Sequence, residues 1–151
     1  MSCVVVGIGN PYLRDDAVGL RVARAVRAAT GSEVTVHELQ TGGLDVVERI
    51  SGHACAVVID AVGPDEGAPG ALVALPVDGP IRSTVLSHDG GLAVAVATAR
   101  ELGLPMPAHL TLLGIVGADL ETFGTDLSEA VAGAVPRAVA AVLALLGGRD
   151  P

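Results

Sequence analysis

Residues 3–26 read CVVVGIGNPYLRDDAVGLRVARAV. The run CVVVGI is rich in β-branched residues, the pattern of a strand covered on both faces. Gly7-Ile8-Gly9-Asn10 then turns the chain. Apolar residues at 18, 22, 26 and 29 follow at the spacing of one helix face. Strand, glycine turn and helix open an α/β unit. A turn of this kind usually suggests phosphate, yet this one is followed by two adjacent carboxylates, Asp15 and Asp16.

The alternation continues. EVTVHEL (33–39) reads as a strand, TGGLDVVERI (41–50) puts Leu44, Val47 and Ile50 at helical spacing, and ACAVVID (54–60) is a second buried strand. ALVALPV (71–77) is a short strand whose proline predicts an edge position. A helix over 91–102 ends at Gly103, HLTLLGIV (109–116) is a strand, and Ser128 is placed to cap a C-terminal helix. The expectation is one α/β domain over residues 1–151, a three-layer fold with a mainly parallel five-stranded sheet and helices on both faces.

Composition narrows the function. Half of the residues are apolar, but the chain has one Tyr, one Phe and no Trp, so Val, Leu, Ile and Ala must build the core. All nine basic residues are Arg. A net charge of −8 argues against nucleic acid or an anionic membrane as partner. Cys3 and Cys55 form no CxxC pair and read as buried core thiols of a reducing cytosol. No secretory signal is visible, and Pro136 and Arg137 interrupt the apolar C-terminal stretch. A cytoplasmic protein is expected, and a monomer.

In an open α/β sheet the working crevice lies at the carboxyl ends of the strands. Asn10, Asp15 and Asp16 follow the first strand; Thr41, Gly42 and Gly43 follow the second; Asp60 ends the third; His88 lies in the loop after the edge strand. His53 and His109 precede their strands and read as structural, as does His37. One acid of the Asp15-Asp16 pair is explained as a helix cap or first-turn charge. The other is left over on the crevice side.

Several chemistries fail on the residues present. GIGNPY has Tyr12 where a dinucleotide fingerprint needs its third glycine. A P-loop needs a lysine, and there is none. No G-x-S-x-G elbow occurs, and both cysteines sit early in their strands. Two carboxylates and an imidazole, one acid of the Asp15-Asp16 pair with Asp60 and His88, instead suit a borderline divalent ion such as Zn²⁺ or Ni²⁺. Rival expectations are a metal-dependent binding or assembly factor that cuts nothing, and a nucleotide-dependent small-molecule enzyme.

The stretches GIGNPYLRDDAVGLRV (7–22), TGGLDVVERI (41–50), VVIDAVGPDEGAPGAL (57–72), SHDGGLAVAVA (87–97) and LTLLGIVGADLETFGTDLSEAV (110–131) resemble the hydrogenase maturation endopeptidases. That resemblance implies removal of the C-terminal extension from a [NiFe] hydrogenase large-subunit precursor after nickel insertion. It implies Asp16, Asp60 and His88 as the residues meeting the metal and serving catalysis. The nickel would be supplied by the substrate, with Zn²⁺ or a similar ion able to substitute. Gly42 and Gly43 correspond to a family Gly-Gly turn, and with Asn10 and Thr41 they are expected to receive substrate.

Overall fold

The valine-rich runs become the strands of one five-stranded sheet. The computed structural model describes residues 2–76 and 91–147. In chain order these hold β1 (Cys3–Ile8), α1 (Val18–Thr30), β2 (Thr35–Leu39), α2 (Leu44–Ile50), β3 (Cys55–Val62), β4 (Leu72–Pro76), α3 (Gly91–Glu101), β5 (His109–Val116) and α4 (Glu129–Gly147). The strand order is β2-β1-β3-β5-β4. All pairings are parallel except that of β4 with β5, which places the proline-bearing strand antiparallel at one edge.

Side chains alternate across the strands, so each strand serves two cores. Val4, Val6, Ala56, Val58, Leu110 and Leu112 face α2 and α3. Val5, Val57, Ile59, Leu113 and Ile115 face α1 and α4. Val18, Val22 and Val26 of α1 have no exposed surface, as the helical stripe requires. The expected three-layer α/β fold is the one observed.

Local departures have physical causes. Residues Arg14–Ala17 form a short 3-10 turn, so α1 starts at Val18 and Asp16 lies just outside it. No side-chain cap closes either element. The expected cap or dipole role therefore does not account for Asp15, whose bonds run elsewhere. Strand β3 continues two residues past Asp60, because Ala61 and Val62 pair with Ile115 and Val116. Pro136 lies inside α4 and does not end it. The helix runs 19 residues and by length and composition alone is apolar enough to cross a bilayer. Its fully buried stripe, Val131, Ala134, Ala138 and Val142, packs into the core beneath α1.

Cys3 and Cys55 are register partners on β1 and β3, with Cα atoms 4.6 Å apart, and they are joined as a disulfide. This corrects the expectation of two separate core thiols. Strand pairing brings residues 52 apart in sequence within the span that a disulfide requires.

Candidate active site

β1 and β3 are neighbours whose chains leave the sheet in opposite directions. β1 continues through α1 to β2 on one side, and β3 continues towards β4 and β5 on the other. Such a switch point opens a crevice at the carboxyl ends of the two strands. Asp16 follows β1 and Asp60 lies near the end of β3, one position beyond the Gly7–Ile59 pair. The 3-10 turn carrying Asp16 packs against β3. The two acids thus flank the same opening.

The turn is held from within. The Asn10 N–H donates to Asp16 Oδ2 at 2.9 Å, and Tyr12 N–H donates to Asn10 Oδ1 at 2.9 Å. The carboxylate of Asp16 therefore folds back over the end of β1. Gly9 permits this geometry, because a Cβ there would collide with the carbonyl oxygen of Asp16. Asp60 is half-buried, and its Oδ1 accepts the Ala61 N–H at 2.8 Å. It shares the α2/α3 side of β3 with Val58 and Ala56.

A second loop fastens the turn from outside. Residues 117–128, after β5, meet the loop after β1 in a parallel bridge between Leu13 and Gly124. Gly124 N–H donates to the Tyr12 carbonyl at 2.8 Å, and Arg14 N–H donates to the Gly124 carbonyl at 3.0 Å. Since β3 lies between β1 and β5, this seam spans the carboxyl end of β3. Arg14 pays for its place with a positive φ of 37° and is clamped by Asp119 at 3.2 Å and the Asp126 carbonyl at 3.1 Å. Asp119 in turn accepts the N–H groups of Thr122 and Glu121. These bonds, with Arg14 beside it, push its carboxyl down to about 2.

Asp15 is the residue that sequence reasoning missed. It has no exposed surface. Its carboxylate accepts the Ala118 and Asp119 N–H groups at 2.9 Å each, and both the N–H and the hydroxyl of Ser128, at 2.7 and 2.8 Å. Burial alone would raise the Asp15 carboxyl, but the bonds from Ser128, Asp119 and Ala118 outweigh it and hold the group below its usual range. Read as a cap or first-turn charge, it gave no local signal of this role. Its partners lie more than 100 positions away.

The remaining expected residues are placed as follows. Asn10 is inside the turn just described. Thr41 is exposed and its hydroxyl bonds the Asp45 carboxylate. Gly42 leads to Gly43, whose φ of 63° suits glycine and whose Cβ position faces open space. This turn borders α2, on the side of the sheet that Asp60 faces. His88 lies outside the described residues. Among the described residues no three His, Cys, Asp or Glu side chains gather to hold a metal ion. His53 and His109 stand at the opposite end, before β3 and at the start of β5. His37 lies within β2, where burial, with Arg49, His53 and Arg27 nearby, pulls its imidazole down.

The family model described as hydrogenase maturation protease matches residues 20–145. The chain belongs to the hydrogenase maturation protease family. Hydrogenase 2 maturation protease of Escherichia coli K12 is 28% identical over 97% of this chain and 91% of its own length. Hydrogenase expression/formation protein HupD of Rhizobium leguminosarum bv. viciae is 30% identical over 95% of this chain and 73% of its own. Among solved structures, hydrogenase maturating endopeptidase HybD from E. coli superposes with a TM-score of 0.79 at 27% identity, covering 98% of this chain and 93% of that one. An endopeptidase from the same organism gives 0.83 at 26% identity, covering 97% and 92%. Family membership makes the chain a peptidase of hydrogenase maturation.

Proposed function

We propose that the chain removes the C-terminal extension of a [NiFe] hydrogenase large-subunit precursor once nickel has been inserted, using Asp16, Asp60 and His88. The observation that carries this reading is the placement of Asp16, in the turn after β1, and Asp60, near the carboxyl end of β3, beside the switch point between these adjacent parallel strands. Helix α3 covers the face that Asp60 shares, and its first residue follows His88 by three positions in sequence. Nickel arrives as part of the substrate. The two carboxylates and the imidazole suit it, and Zn²⁺ or a similar ion meets the same donors.

Hydrolysis adds water across the scissile amide. The water oxygen bonds to the carbonyl carbon, the C–N bond breaks, and a water proton ends on the leaving nitrogen. A carboxylate at Asp16 or Asp60 takes the proton as general base and returns it as general acid. The Gly42–Gly43 turn, open at Gly43, lets substrate backbone approach, with Asn10 and Thr41 beside it. The enzyme acts as a monomer in the cytoplasm, where the precursor is made.

Mass spectrometry of a nickel-loaded precursor mixed with the protein tests the assignment. The wild type is expected to release the extension. Asp16→Asn, Asp60→Asn and His88→Ala are each expected to abolish or sharply slow the mass loss. Unimpaired trimming by all three variants would overturn the site. Binding of the precursor without any trimming by the wild type would favour a non-proteolytic assembly factor.

A further inference from the structure

Tyr12 and Phe123 are the only aromatic residues of the chain, and both stand in solvent, 63% and 84% exposed. Folding normally hides such large apolar bodies. Here a core of Val, Leu, Ile and Ala does without them. Their positions are set by the seam. Tyr12 precedes Leu13 and Phe123 precedes Gly124, and those two residues form the parallel bridge. The two aromatics are therefore register-matched on loops that cross the end of β3. Leu44, 71% exposed, directly follows the Gly42–Gly43 turn at the same end of the sheet. The loops after β1 and β5, and the first residue of the helix after β2, thus each present one large apolar side chain at the end of the sheet that carries the candidate site. Isolated exposed apolar residues such as Val94 and Leu102 are ordinary, but Tyr12 and Phe123 are paired by the bridge between their loops.

The same end is acidic. Among the described residues Asp16, Asp60, Asp65, Glu121 and Asp126 lie there, against Arg14, engaged by Asp119, and Arg21, bonded to the Thr125 carbonyl. A surface with aromatic anchors in a negative field fits a partner patch of apolar and basic side chains.

We infer that Tyr12 and Phe123, with Leu44, form a docking rim that grips the precursor outside its scissile segment, on an apolar patch flanked by basic residues. This rests on the protease reading above. Two carboxylates and a histidine discriminate poorly among protein substrates, and binding energy realised away from the reacting bond supplies the selection. Aromatic anchors held on backbone-paired loops lose little freedom on binding.

The test compares wild type with the Tyr12→Ala/Phe123→Ala double variant on the nickel-loaded precursor. KM is expected to rise about tenfold or more, with kcat changed less than about twofold, and Tyr12→Phe/Phe123→Trp is expected to restore the wild-type KM. Raising salt is expected to raise the wild-type KM. Thermal melting confirms that the exposed substitutions leave the fold intact. An unchanged KM in the folded double variant would overturn the rim while leaving the protease reading standing. If the wild type fails to trim the precursor, that reading fails, and direct binding decides the rim: capture by wild type but not by the double variant supports it, and equal capture overturns it. Sedimentation showing a wild-type dimer that the double variant loses would make the patch a self-interface and overturn the inference.

Discussion

Ser128 gives Asp15 two hydrogen bonds, from its N–H at 2.7 Å and from its hydroxyl at 2.8 Å. With the bonds from Ala118 and Asp119, they tie the turn after β1 to the loop after β5. Asp15→Asn puts an amide among donors that need an acceptor. It is expected to destabilise the fold by about 3 kcal/mol, the cost of losing bonds to a buried charge, seen as a lower denaturation midpoint in urea.

The same carboxylate sets an acid limb on stability. Its folded pKa lies below the unfolded value of about 3.9. The stabilisation is therefore present above about pH 4 and lost as pH falls through the folded pKa. Asp119, pushed down to about 2, acts in the same direction. Melting temperatures between about pH 5 and pH 2 should fall for the wild type, and less steeply for Asp15→Asn.

Asp16 and Asp60 are the carboxylates proposed to act on the substrate. Asp16→Asn and Asp60→Asn are each expected to slow precursor trimming by about 100-fold or more. Asp16→Asn should cost only about 1 kcal/mol of stability, since one hydrogen bond from Asn10 is at stake. Paired measurements of trimming rate and urea midpoint separate this outcome from that of Asp15.

Gly9→Ala forces a Cβ into the Asp16 carbonyl oxygen. Displacement of the turn is expected to destabilise the fold by about 2 kcal/mol and to lower kcat by more than the small change in fraction folded explains. Steady-state kinetics well below the melting transition check this.

The disulfide lies at the amino ends of β1 and β3, far along the strands from Asp60. Closing a loop of 52 residues stabilises by up to about 4 kcal/mol in the chain-entropy model. Cys3→Ala or full reduction is expected to lower the urea midpoint while leaving trimming rates unchanged under native conditions.

The sheet was legible because its strands are buried on both faces, so CVVVGI, ACAVVI and HLTLLGIV each read as unbroken apolar runs. Asp60 reads as a strand end because it follows an apolar run, yet β3 goes on for two more residues through the pairing of Ala61 and Val62 with β5, and the 3-10 turn that carries Asp16 has no periodicity to announce it. Asp15, the Cys3–Cys55 bond and the Tyr12–Phe123 pairing were not legible. Each depends on partners brought together only by strand order and register, and local periodicity carries no trace of either. Ser128 stands where a cap was expected, just before α4 with its carbonyl accepting the Ala132 N–H, but the bond its hydroxyl gives to a carboxylate 113 positions away was not foreseeable.

The bridge between Leu13 and Gly124 leaves the mouth of the crevice little freedom to dilate. Its bonds run from main chain to main chain, so the side chains of the two loops are exchangeable without altering the frame that carries Asp16.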